Sequence, residues 1–162
     1  MLIATHGLFI PDSEYQPSTH IKLTNPMLRS ALAFAGANTW LAGGNLPEYA
    51  GKGILFAQDI AGLNLWGNEI TVLSACETAR GDIKIGEGVF GLRRAFAVAG
   101  TKILIMSLWK VPDRATALLM ERFFDNLESQ MDYTQALRNA QDYIRNITVE
   151  ELRKSAPGIE TL

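Results

Sequence analysis

Ile70-Thr71-Val72-Leu73-Ser74-Ala75-Cys76-Glu77-Thr78 is an apolar run that stops on the only cysteine of the chain. Ile70, Val72 and Leu73 suit a buried strand, Ser74 and Ala75 leave room beside a thiol, and Glu77-Thr78-Ala79-Arg80-Gly81 turns abruptly polar. Cys76 therefore stands where a predicted strand ends. In open α/β sheets the C-terminal strand ends border the crevice in which sites are built, so a thiol at that edge is placed for chemistry.

A thiol reacts as its thiolate, and an unperturbed cysteine has a pKa of about 8.5, so a neighbouring base is needed. His6 has the matching context: Leu2-Ile3-Ala4-Thr5 is a second short apolar strand, ending on His6-Gly7. If the two strands are parallel neighbours, His6 and Cys76 leave the same sheet edge side by side, as a Cys/His dyad requires. Gly7 would let a substrate carbonyl approach the backbone, and the N–H groups of Gly7 and Cys76 would form an oxyanion hole. The competing reading of each residue alone is a small buried hydrophobe for Cys76 and a hydrogen-bonded surface residue for His6.

Four blocks in order resemble the CHAT domain family: Ala4-Thr5-His6-Gly7, Val72 to Thr78, Gly86-Glu87-Gly88-Val89-Phe90-Gly91-Leu92-Arg93-Arg94-Ala95-Phe96, and Met106-Ser107-Leu108-Trp109-Lys110-Val111. These are caspase-like cysteine peptidases related to separases and caspases, often fused to tetratricopeptide repeats in bacteria. The resemblance implies a three-layer α/β/α sandwich with a mainly parallel sheet, a protein or peptide substrate, and a tetratricopeptide-repeat region or regulatory partner. It also implies that the family domain begins before Leu2 and ends beyond Leu162, which makes this chain an incomplete copy with an exposed sheet edge open to self-association.

Composition fits a folded piece of that kind. With 162 residues, 48% hydrophobic and 20% charged, the chain has material for one core, read as a single partial domain over 1–162 with a frayed polar tail at 148–162. A net charge of -2 and the lack of a basic stripe give no general attraction for nucleic acid or anionic membranes. The start, Met1-Leu2-Ile3-Ala4-Thr5, does not read as a signal peptide, and Ala95 to Trp109 is too short and interrupted to span a bilayer. One cysteine excludes an internal disulfide and agrees with a reducing compartment; the chain reads as cytoplasmic.

In chain order, Leu8 to Thr24 has loop composition, with His20 an exposed loop histidine, and Ser30 to Phe34 reads as a strand. Gly36 to Gly53 reads as a Gly-rich loop; Gly51-Lys52-Gly53 lacks the Ser or Thr and the following helix of a P-loop. Ile54 to Ala57 is a short strand and Gln58 to Leu63 one helical turn. The loop Glu77 to Ile85 contains Arg80-Gly81-Asp82, a triplet that recurs by chance. Gly86 to Ala99 is a helix with Val89, Leu92, Phe96 and Ala99 on one stripe, so Phe90 and Phe96 are read as core. Thr101 to Ser107 is a continuous apolar strand of the kind covered on both faces. Asp113 is placed to cap one helix and Asp132, with Gln135, another.

By resemblance, Cys76 attacks the scissile carbonyl, His6 polarises the thiol and protonates the leaving amine, and Ser107, Leu108, Trp109 and Lys110 pair with an extended substrate. Glu77 either lines a specificity pocket or hydrates its rim, and Trp109 either walls the substrate or caps the core. Asp59, Asp82 and Asp113 are unranked candidates for selecting the residue before the scissile bond. No cofactor and no metal are called for. The alternative is a catalytically inactive peptidase-like interaction module, or a fragment that needs the rest of its domain.

Overall fold

The strands β1 (Leu2–Phe9), β2 (Ser30–Ala33), β3 (Ile54–Phe56), β4 (Ile70–Glu77) and β5 (Ile103–Met106) form a single sheet in the order β3-β2-β1-β4-β5. Between and after them lie the helices α1 (Ala37–Leu41), α2 (Ala57–Ala61), α3 (Glu87–Val98), α4 (Asp113–Glu128) and α5 (Tyr133–Asn146), with a 3-10 turn at Pro26–Leu28. These elements come from a computed structural model that describes residues 1–9, 25–48, 50–77, 87–108, 111–148 and 150–151. The chain divides into two compact units, Met1–Lys110 and Val111–Leu162.

Strand direction follows from what connects the strands. β1 and β4 run parallel, as do β4 and β5, the latter pair joined through α3, which is long enough to carry the chain back along the sheet. β2 runs antiparallel to β1, and β3 antiparallel to β2. The helix described between β2 and β3 is the five-residue α1, too short to serve as a crossover. The sheet is thus mixed rather than mainly parallel, with the parallel pairings confined to β1, β4 and β5. α1 itself falls where the Gly-rich composition of 36–53 predicts only loop.

One face of the sheet makes the core of the first unit. Leu32, Leu73, Ala57, Ile60, Leu92, Ala95 and Phe96 are buried together, and Ile3, Leu55, Leu104 and Met106 pack against them. The spacing of α3 explains its share: positions 92, 95, 96 and 99 fall on one stripe, and all four are buried. Phe90 stands about 200° around the helix from Leu92, given 100° per residue, and it is 62% exposed. It is a surface residue and not the core residue that its aromatic character suggests. At the opposite end of the strands, Thr71 is fully buried; its hydroxyl accepts from Asn68 Nδ2 at 2.6 Å and lies 3.3 Å from the Thr101 hydroxyl. Gly100, at φ 101°, closes α3, and a Cβ there would meet the Trp66 ring at 2.8 Å.

The second unit is a helical hairpin. Phe123, Asn126, Ala136 and Ala140 are buried, and the Asn126 side-chain amide donates to the Ala136 carbonyl at 3.0 Å, so the polar group carries its partner into the interface. Asp132 caps α5 by accepting from the N–H groups of Thr134 and Gln135, both at 3.0 Å. Asp113 does not cap α4: Pro112 holds that position and Asp113 is the first helical residue, where its charge favours the positive end of the dipole. Thr148 and Glu151 form reciprocal bonds at the start of the predicted tail, and 152–162 lies outside the described residues.

Because Phe96 is 1% exposed, Phe96→Ala should cost about 3–5 kcal/mol of stability. Phe90→Ala should stay within roughly 0.5 kcal/mol. Denaturant unfolding of the two variants at matched m-values checks both.

Candidate functional site

The pairing of β1 with β4 sets six consecutive Cα partners, Leu2 with Val72 through Gly7 with Glu77, and the fifth is His6 with Cys76. His6 is exposed, on the far side of β1 from Ile3, which packs into the core. On its other side His6 pairs with Ala33 of β2. Thr5, the preceding residue, donates its hydroxyl to the Ala33 carbonyl. That bond pins β1 to β2 immediately beside His6. Sequence reading passed over Thr5; a hydroxyl on a half-buried strand position next to the histidine is the signal that marks it.

The strand β1 does not stop at His6-Gly7 but continues to Phe9. Gly7 is buried and sits inside the ladder, paired with Leu32 on one side and Glu77 on the other. β4 is described to Glu77, one residue past the cysteine on which the sequence run stops. The two candidate residues therefore arise differently. Cys76 lies one residue from the end of its strand, whereas His6 projects from the body of its own.

The neighbouring parallel strand ends at Met106, and Ser107 and Leu108 follow it. Leu108 is 53% exposed. Ser107 is half-buried, and its hydroxyl has no hydrogen-bond partner among the described residues. Trp109 and Lys110, like His20, Asp82 and Thr78 to Gly86, lie outside the described residues. Asp59 is committed to structure: its carboxylate accepts from the Phe56 N–H at 3.2 Å at the start of α2. Among the described residues no cluster of three or more His, Cys, Asp or Glu side chains could hold a metal ion. No described helix is long and apolar enough to cross a membrane.

A family profile described as "CHAT domain" matches residues 1–154. Two curated relatives are similar over 93 residues at 28% identity: tetratricopeptide repeat protein 28 of Mus musculus and tetratricopeptide repeat protein 28 of Homo sapiens. The aligned stretch is 57% of this chain but 4% of the length of each relative. No solved structure matches the chain.

A buried hydroxyl without a partner carries a desolvation cost of about 1–3 kcal/mol. Ser107→Ala should therefore raise stability by roughly 1 kcal/mol, read as an increase in Tm. A fall in Tm instead would mean that the hydroxyl contributes a bond to the fold.

Proposed function

This chain belongs to the CHAT domain family, and from that membership we propose that it carries the Cys/His centre of a caspase-like cysteine endopeptidase. The observation that supports this most is the strand register, which sets the backbone of His6 directly across from that of Cys76. Adjacent strands lie about 4.8 Å apart, a spacing across which an imidazole can reach a thiol. A histidine and the chain's sole cysteine meeting in register from positions so far apart in sequence is what a two-residue nucleophilic centre needs.

In this reading the Cys76 thiol gives its proton to His6 and the sulfur adds to the scissile carbonyl carbon. Backbone N–H groups around Gly7 and Cys76 stabilise the resulting oxyanion. The C–N bond then breaks, His6 returns the proton to the departing amine, and a thioester to Cys76 remains. Water, deprotonated by His6, hydrolyses that thioester and restores the thiol. The electron count closes without a cofactor.

The substrate is an extended protein segment. It pairs with the strand end from Ser107 to Lys110, with Leu108 offering an exposed apolar contact and Trp109 a wall. Glu77, at the end of β4, borders the same rim. The three-layer sandwich and the single-domain organisation expected from the sequence belong to this reading. So do a cytoplasmic setting and self-association through an open sheet edge. The printed names of the relatives suggest that a tetratricopeptide-repeat region is the regulatory partner.

Cys76→Ala should abolish labelling by a peptide bearing a thiol-directed electrophile. His6→Ala should slow labelling and cleavage by about 10²-fold or more. Labelling that survives Cys76→Ala excludes the peptidase. Binding of peptide without cleavage would instead identify an interaction module built on the same strand edge.

A further inference from the structure

The helix α3 has a second face that the core leaves unused. Phe90, Arg93, Arg94 and Ala97 stand at the i, i+3, i+4 and i+7 positions of one helical face, and all four are exposed. Facing them, Asn25, Pro26 and Met27 form the other wall of a groove of about 460 Å³, with Gly91 at its floor.

The two walls are held at a fixed separation. A Cβ on Gly91 would lie 2.9 Å from the Pro26 carbonyl oxygen and collide with the Ser30 hydroxyl, so only glycine allows α3 to come this close to the turn. The Ser30 hydroxyl donates to that same carbonyl at 2.8 Å, and Asn25 Oδ1 accepts from the Met27 N–H at 3.1 Å. Both bonds keep the turn rigid. The groove is thus preformed, which lowers the ordering cost of filling it.

Its chemistry is uneven. Phe90, an exposed aromatic, and Met27, which packs partly into the core, give it an apolar end. Arg93 and Arg94 give it two positive charges, and neither guanidinium has an ion pair or a side-chain hydrogen bond among the described residues. Arginine, aromatic and methionine side chains are the ones enriched at the centre of protein interfaces. A guanidinium fork matches a carboxylate in two parallel hydrogen bonds.

We propose that the groove between α3 and the Pro26–Leu28 turn docks an acidic segment of a partner protein, with one apolar side chain seated between Phe90 and Met27 and flanking carboxylates paired to Arg93 and Arg94. Charge complementarity selects the occupant. Two guanidiniums on a chain of net charge -2 suit a short acidic peptide. A nucleic acid backbone, whose affinity comes from many phosphate contacts, would need a wider basic surface. The groove is separate from the β1–β4 pairing, so it serves recognition whether or not Cys76 turns substrate over.

The test is fluorescence anisotropy with a labelled hexapeptide, Glu-Asp-Leu-Phe-Asp-Glu, against its Lys-Lys-Leu-Phe-Lys-Lys counterpart and a twelve-residue polythymidine. The acidic peptide should bind saturably with a Kd below about 100 µM, weakening as salt rises. The double variant Arg93→Glu/Arg94→Glu should raise that Kd at least about tenfold and gain affinity for the lysine peptide. Phe90→Ala should weaken binding of the acidic peptide several-fold, about as expected for an aromatic contact. The three residues are exposed, so far-UV circular dichroism should match the parent; if the double variant misfolds, Arg93→Gln/Arg94→Gln replaces it, with the same tenfold loss expected. Acidic-peptide binding that is absent, or unchanged in these variants, overturns the proposal, as does tighter binding of polythymidine through the same arginines.

Discussion

The parallel pairing of β1 with β4 is the constraint on which the molecule depends. It joins the first described strand to one that ends about seventy residues later, and it makes β1 the middle strand of the sheet. A slip by one residue would turn Ile3 and Leu73 out of the core and move His6 off Cys76 together. Burial and the alignment of His6 with Cys76 are therefore enforced by the same register. Ile3 and Leu73 are held by the apolar layer that α2 and α3 lay over one face, while Thr5 ties β1 to Ala33 on the side away from β4. Apolar packing sets the β1–β4 alignment, and the Thr5 hydroxyl fixes the other edge of β1 next to the histidine.

The small residues around α3 show how the core is brought to density. Ala57, Ala95 and Ala99 are buried almost completely beside Leu92 and Phe96, so large and small side chains alternate across the helix–sheet contact. Gly91 permits the closest approach, against the turn at Pro26 and the first residue of β2. In the hairpin of the second unit the same need is met by Ala136 and Ala140, and Asn126 adds a polar bond that is satisfied only at one rotation of the two helices.

Much of this was legible in the residues. Ile70 to Cys76 announces its strand by composition, and the described strand runs one residue further, to Glu77. Asp132 and Gln135 mark the start of α5, and the structure places Asp132 as the cap. The parallel adjacency of the His6 and Cys76 strands was expected from matched context and is present. What escaped was decided beyond the local segment. α1 forms within Gly-rich sequence because Gly36, at φ 94°, supplies the entry that other residues avoid. β1 runs on past Gly7 because β2 pairs with it through Phe9, a contact that no local pattern encodes. The direction of β2 and β3 depends on the shape of their connections rather than on strand composition. Phe90 was misread because its type outweighed its angle on the helix. For the candidate site, sequence pointed to His6 and Cys76 on neighbouring strands, which the register pairs, but the bond of the Thr5 hydroxyl and the lack of a partner for the Ser107 hydroxyl among the described residues emerge only in three dimensions.

The position of β1 also has a consequence for synthesis. A ribosome adds about 5–20 residues per second, so the strand destined for the middle of the sheet leaves the exit tunnel roughly 4–14 seconds before its parallel mate is complete. Over that interval β2 and β3, whose pairings are nearer in sequence, are the partners within reach. An antiparallel nucleus of β1, β2 and β3 can thus precede the parallel half, with its far edge still bare. Synthesis itself then orders assembly, and His6 and Cys76 come into register only at the closing step.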